Sequence, residues 1–178
     1  MNFYSIDDNA IIPILNETNY DIIYNYLLDY GYEVDYAHNY ASAIPIITKM
    51  FKDSKWFVVP DKSLKAWDFA RIAFYILSGN SADYISRQKA FDSLIEVGKK
   101  ANYYYDDWFS YTSAYLYGRK LWVASGGGYD NETFTETNTD FKRIMAFNCS
   151  PLSVCRTVPF GYEDAKALDD EYTTCHNE

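Results

Sequence analysis

Apolar residues recur at helical spacing through most of the first 123 positions, and the pattern predicts five helices. Ile22, Ile23, Tyr26, Leu27 and Tyr30 define a first helix from Asn19 to Tyr30, with Thr18 three residues ahead of Asp21 as a weak capping pattern and Gly31 as a stop. Ile44, Ile46, Ile47, Met50 and Phe51 predict a second, with Pro45 in its first turn, although the β-branched run also suits a short strand. Trp56 to Val59, closed by Pro60, reads as a strand or a buried connection. Leu64, Trp67, Ala70, Phe74 and Leu77 lie on one face of a third helix ended by Gly79. Ser86 caps a fourth, whose stripe is Ala90, Phe91, Leu94, Ile95 and Gly98. Asp106 and Asp107 stand where the dipole of a fifth helix favours carboxylates, and Trp108, Tyr111, Thr112, Tyr115 and Leu116 lead on to Arg119 and Trp122.

Past Val123 the periodicity fails. The polar, glycine-rich stretch 125–140 reads as a surface loop, Asp140 to Phe147 as one more short helix, CSPLSVCRTVPF as extended and partly buried chain, and 163–178 as an acidic tail that frays. Helices joined by short links pack antiparallel. The expected class is therefore mainly α, a compact single domain over residues 1–178 with five to seven helices and at most a minor strand. At 178 residues such a chain buries enough apolar surface to fold without metal or disulfide support.

Composition adds a bias toward exposed aromatic surface. Hydrophobic residues make up 48% of the chain and aromatics 19%, which excludes a disordered chain. Some of the 19 Tyr must remain partly exposed, which suits a binding surface, with A+T-rich coding an equal explanation. The net charge of −9 is unevenly placed: residues 1–36 hold seven acids and no Lys or Arg, residues 37–123 hold twelve bases and eight acids, and residues 124–178 hold ten acids and four bases. Acidic surface repels phosphate backbones and attracts basic proteins, so no direct nucleic-acid binding is expected.

Cysteine and histidine are too few for a metal centre. Cys149, Cys155 and Cys175 contain no CxxC pair, and only His38, in an expected turn, and His176, in the tail, could join them. Cys149 and Cys155 read as small core residues rather than a disulfide. Asp7 and Asp8 interrupt the N-terminal apolar run and no basic residue precedes it, so neither a secretory signal nor a membrane span is expected, and the location inferred is cytoplasmic. Ser125 to Gly128 lacks the Gly-Lys-Ser/Thr ending and the strand-to-helix context of a phosphate loop. No catalytic residue, metal or cofactor is expected.

One polar cluster remains. Asp68 and Arg71 are three apart on a helix beside Trp67 and Phe74, and Arg119 shares its helix with Trp108, Tyr115 and Trp122. Arginines turned inward there must be paired, because removing one partner of a buried pair costs about 3 to 5 kcal/mol. A salt-bridge network that fixes helix register is the main reading, and a ligand pocket the lesser one.

The strings AWDFARIAFYILSGNSADYIS, KAFDSLIEVGKKA and DDWFSYTSAYLYGRKLW resemble the core of the bacterial family known as domain of unknown function 1266. Its Trp-Asp-x-x-Arg helix, Tyr-(Ile/Leu)-(Ser/Thr) loop, (Asp/Ser)-Trp segment and Gly-Arg-x-x-Trp ending correspond to Trp67, Asp68, Arg71, Tyr84, Ile85, Ser86, Trp108, Gly118, Arg119 and Trp122. The match is best over residues 66–123; in the downstream SPLSVCRTVPF, Leu152 stands where the family usually has Trp. The resemblance implies a compact helical fold and a cytoplasmic bacterial or phage origin, and no particular activity.

The leading functional expectation is a non-enzymatic acidic protein of immunity or inhibitor type that neutralises a basic partner such as a toxin or nuclease. Tyr20, Asp21, Tyr24, Asp29, Tyr32 and Asp35 are its candidate contact residues. One rival is a small-ligand binder or enzyme in which Arg71 and Arg119 clamp an anion and Asp68 acts as base or orienter. The other is a structural or oligomerising module with an apolar self-interface.

Overall fold

The computed structural model describes residues 6–54, 56–126 and 139–144, together with 146, 148, 150, 153, 160 and 161. These residues form α1 (Asp8–Ile11), a 3-10 turn (Ile12–Ile14), α2 (Tyr20–Tyr30), α3 (Val34–Asp53), α4 (Ala66–Ser81), α5 (Arg87–Tyr104) and α6 (Trp108–Ser125). Residues 139–144 are also helical, overlapping the stretch from Asp140 to Phe147 where the sequence predicts a short helix. Among the described residues there is no strand, and the chain is mainly α as expected.

Short polar side chains start four of these helices by accepting backbone N–H groups that no earlier turn can satisfy, Asp7 doing so for α1 by accepting from Asn9 N at 3.0 Å. Asn19, rather than Thr18, caps α2 by accepting from Asp21 N at 2.9 Å and Ile22 N at 3.3 Å. Ser86 accepts from Lys89 N at 3.2 Å to start α5. Asp107 accepts from Ser110 N at 2.6 Å, and Ser110 Oγ returns the bond to Asp107 N, a complete capping box for α6. Gly31 ends α2 at φ 105°, a left-handed conformation that only glycine adopts without strain.

Several expectations give way to tertiary packing. The second predicted helix begins at Val34, so Pro45 lies in its interior instead of its first turn, and His38 sits on α3 instead of in a turn. Pro45 leaves one carbonyl of the preceding turn without its intrahelical donor. The burial of Ala41, Ile44, Ile47, Thr48 and Phe51 around it holds the helix together nonetheless. Gly79 does not end α4, which continues to Ser81. Residues 56–59 form a connection in which Phe57 is buried and Trp56 and Val58 are exposed.

α6 is the axis of the fold. The α2–α3 hairpin packs on it through α3, and the α4–α5 hairpin packs on it through α4. Buried residues therefore surround α6 on nearly every side, from Thr112 through Leu116, Tyr117 and Leu121 to Ala124. The larger hydrophobic cluster joins α1, α2, α3 and α6, and a smaller one joins Ala66, Phe69, Ala101, Tyr105 and Ala114.

The two sides of the larger cluster are tied by a buried hydroxyl pair. Thr48 Oγ1 donates to the Leu15 carbonyl at 2.5 Å and lies 2.6 Å from the Tyr117 hydroxyl, which must then donate to it. Thr48→Val removes a donor and an acceptor at once, and is expected to cost about 1 to 3 kcal/mol. In urea titrations the double variant with Tyr117→Phe should lose less than the two single losses added together, because both act on one bond.

Candidate functional site

The α4–α6 seam brings together most of the residues that carry the resemblance. At Gly118 α6 lies close against the start of α4: a Cβ built there would lie 2.9 Å from the Leu64 carbonyl oxygen and 3.0 Å from Trp67 Cβ. Trp67 lies across the seam against Tyr115, with centroids 5.4 Å apart, and against Trp122 at 5.7 Å. Its indole N–H is buried with no hydrogen-bond partner among the described residues. Trp108 does not join this group. It packs at the other end of α6 on Tyr111 and Phe160, at 6.0 and 4.9 Å.

The three charged residues of the predicted cluster divide into two ion pairs. Arg71 Nη2 donates to Asp68 Oδ1 at 2.9 Å, and its guanidinium lies over the Trp67 ring, 5.7 Å from the centroid. Arg119 pairs with Asp140, the last residue of the stretch read as a loop. Both pairs are mostly shielded from solvent. A single Asp68–Arg71–Arg119 anion pocket is not what these pairs make.

Asp68 and Arg71 do stand at one end of a groove of about 640 Å³ along α4. Ile72, Tyr75, Ile76 and Gly79 continue it at helical spacing, and Ile85 meets it from the α4–α5 loop. That loop is shaped by the Tyr-Ile-Ser motif: Tyr84 N donates to the Gly79 carbonyl at 2.8 Å, Asn80 Nδ2 to the Ile85 carbonyl at 3.1 Å, and Ser86 caps α5. Arg119 is not among the residues that line the groove.

The α4 and α5 faces differ from their predicted stripes. Ala66 and Phe69 are the buried residues of α4, and Ala90 and Ala101 those of α5, while Phe74, Leu77 and Phe91 are exposed.

Lys120 is a buried cation that a Gly-Arg-Lys string does not announce. Its ammonium lies 5.3 Å from the centroid of the Phe141 ring, and only 4% of the residue is exposed. Burial, aided by the neighbouring Arg119 charge, pushes its pKa down to about 7.

Of the partner-contact candidates, Asp21, Asp29 and Asp35 are exposed and Tyr20, Tyr24 and Tyr32 are half-buried. Tyr20 stacks on Tyr24 at 5.6 Å and its hydroxyl meets His38 Nδ1 at 2.7 Å; Tyr32 packs edge-on against Tyr40 at 5.8 Å. The tyrosines thus flank the α2–α3 contact, and the carboxylates stand outside it. Ile22 and Val34 are exposed on the same hairpin.

No group of His, Cys, Asp and Glu that could hold a metal ion occurs among the described residues, and no described helix is long and apolar enough to cross a membrane. Cys149, Cys155, Cys175 and His176, most of the 125–140 loop, most of the predicted extended stretch, and the 163–178 tail lie outside the described residues.

The chain is 32% identical over 79 residues to the Uncharacterized protein YbeU of Escherichia coli strain K12, which is 44% of this chain and 33% of that protein. The matched region thus spans a third of its relative's length. No solved structure matches. The family profile described as Protein of unknown function (DUF1266) matches residues 17–160, most of the chain and all of α2 through α6, and the chain belongs to that family.

Proposed function

We propose that this chain is a non-enzymatic binding protein of immunity or inhibitor type that captures a basic protein partner through α2 and the first turns of α3. The observation that carries this reading is the outer surface of the hairpin. Asp21, Asp29, Glu33 and Asp35 are exposed there, Ile22 and Val34 are exposed among them, and the chain has no Lys or Arg before Lys49. An apolar centre rimmed by charges of one sign is an arrangement that protein interfaces use: the centre supplies binding energy, and the field steers encounter. Tyr20, Tyr24 and Tyr32 support the site, because rings already packed against α3 lose little freedom when a partner arrives.

Affinity capture with the full chain tests this, using the native protein and the Asp21→Lys, Asp29→Lys, Asp35→Lys triple variant as paired baits. A basic protein retained in stoichiometric amount by the native bait at low salt, released at high salt and lost with the variant is the expected result. For such a partner, the association rate should fall by at least about tenfold in the variant. A native bait that retains no partner at low salt, or one that the variant retains equally well, overturns the reading.

A further inference from the structure

A separate cavity of about 390 Å³ lies where the α4–α5 hairpin meets the start of α6, and it shares no residue with the groove along α4. Phe69 and Ala73 of α4 form one wall, and Phe91, Leu94, Ile95 and Gly98 of α5 form another. Trp108, Tyr111 and Phe160 make a third: Trp108 and Phe160 meet edge-on with centroids 4.9 Å apart, and Tyr111 lies 5.6 Å from Phe160. Most of the apolar stripe predicted for α5 therefore lines this space, and within that stripe Ala90 alone is buried.

Gly98 is the unexpected member of the lining. It lies inside α5, where glycine is a poor helix former, and nothing lies within 4 Å of a Cβ built on it. Neither a left-handed turn nor a close helix contact requires glycine at this position, unlike Gly31 and Gly118. What glycine does provide is open space on a face that lines the cavity. The volume falls in the range of about 300 to 1,000 Å³ that small-molecule sites occupy. The chemistry of the walls selects the occupant. Rings from α4, α5, α6 and Phe160 suit a flat aromatic molecule, which packs against them edge-on or offset. None of the described residues that line the cavity is charged, so a charged group placed there would lose hydration with nothing to pair it. Asn102 adds an amide that can donate or accept one hydrogen bond.

We propose that this cavity binds a small, uncharged aromatic molecule between the α4 and α5 walls and the Trp108, Tyr111 and Phe160 rings, in room that Gly98 leaves open. The site is built from α4, α5, the start of α6 and Phe160, none of which belongs to the α2–α3 surface assigned to a basic partner. Each of the two sites therefore stands or falls by its own test.

Fluorescence titration of the full chain with N-phenyl-1-naphthylamine, an uncharged aromatic dye, tests the proposal. Saturable one-to-one binding is the expected result. The sulfonated form of the same skeleton, 1-anilinonaphthalene-8-sulfonate, should bind at least about tenfold more weakly, even at high salt, where repulsion by the acidic chain is screened. Gly98→Leu should fill the space and weaken the uncharged dye by at least about tenfold. Gly98→Ala intrudes less and should still fold if the leucine variant does not. It should raise the thermal midpoint while weakening the dye, so that stability and binding move in opposite directions. Ile72→Glu changes the separate α4 groove and should leave the dye constant unaltered. Absence of saturable binding, equal binding of the sulfonate, or binding that the Gly98 variants leave unchanged overturns the proposal. So does a loss caused equally by Ile72→Glu, or a dye constant that weakens as the protein concentration rises, which would mean that a second copy covers the cavity.

Discussion

Lys120→Met is expected to raise the stability of the fold at pH 7 by a few kcal/mol and to remove most of its pH dependence between pH 7 and 10. The native ammonium is buried beside the Phe141 ring with Arg119 as its neighbour, so its pKa falls from 10.5 to about 7. Below pH 7 the lysine is charged in both folded and unfolded chains, and the cost of burying the charge is fully present. Between pH 7 and 10.5 the folded chain has released the proton while the unfolded chain still holds it. The unfolded state then binds more protons, and stability rises with pH. At about 1.4 kcal/mol per pKa unit, the cost relieved is on the order of 4 kcal/mol. Methionine fills similar space without a charge, and its flexible thioether suits packing against an aromatic ring.

The tyrosines impose the opposite slope at higher pH. Burial pushes Tyr40 and Tyr105 up to about 12, and Tyr32 and Tyr111 higher still. Above pH 10 the unfolded phenols ionise while the folded ones keep their protons, so stability is lost as pH rises. Urea midpoints of the native protein measured from pH 6 to 11 should climb from neutrality, peak near pH 9 to 10 and then fall. The Lys120→Met curve should start higher, run level and fall over the same alkaline range. Parallel curves for the two proteins between pH 7 and 10 would show that Lys120 is not buried as a cation.

These opposing titrations depend on features of unequal visibility in the sequence. α2 was legible because Ile23 and Leu27 lie on one face and Gly31 stops it, and α5 and α6 because Ser86 and Asp107 put oxygen atoms at their first turns. The start of α3 was hidden because Glu33 makes no side-chain capping bond, and Pro45 invited a first-turn reading that the surrounding core overrides. α4 carries apolar residues around much of its C-terminal half, so periodicity alone did not tell the packed side from the bare one. α6 is buried almost all round, and a helix with no polar face gives no direction for Arg119 or Lys120. A Lys beside an Arg reads as solvated surface. The Arg119 partner, Asp140, lies beyond the 127–138 segment, where no local pattern points back to it. The candidate site was thus legible as a set of residues, while its division into two ion pairs depends on long-range packing.

Gly118→Ala is expected to destabilise the protein by about 1 to 3 kcal/mol, and Gly118→Val by more, because the added carbon has no room at the α4–α6 seam. The atoms it would meet are a backbone oxygen of Leu64 and the Cβ of Trp67, at 2.9 and 3.0 Å, not the far end of a flexible side chain. The segment around Leu64 cannot easily give way. Leu64 N and Ser63 Oγ donate to the Asp8 carboxylate at 2.8 and 2.7 Å. Tyr105 clamps the same segment, its hydroxyl donating to the Ser63 carbonyl at 3.2 Å and accepting from Ala66 N at 2.9 Å. Relief must therefore come from moving α4 away from α6, which loosens Trp67 from Tyr115 and Trp122. Gly98→Ala is the matched control, since Gly98 is also inside a helix and nothing lies within 4 Å of a Cβ built there. Its expected effect has the opposite sign, a gain of about 0.5 to 1 kcal/mol from helix propensity alone. Thermal and urea midpoints of the two variants decide the matter, with tryptophan fluorescence reporting the seam directly. If both alanines stabilise, α4 and α6 do not meet at Gly118 as closely as described; opposite signs identify this glycine as the residue that lets the two hairpins share one axis.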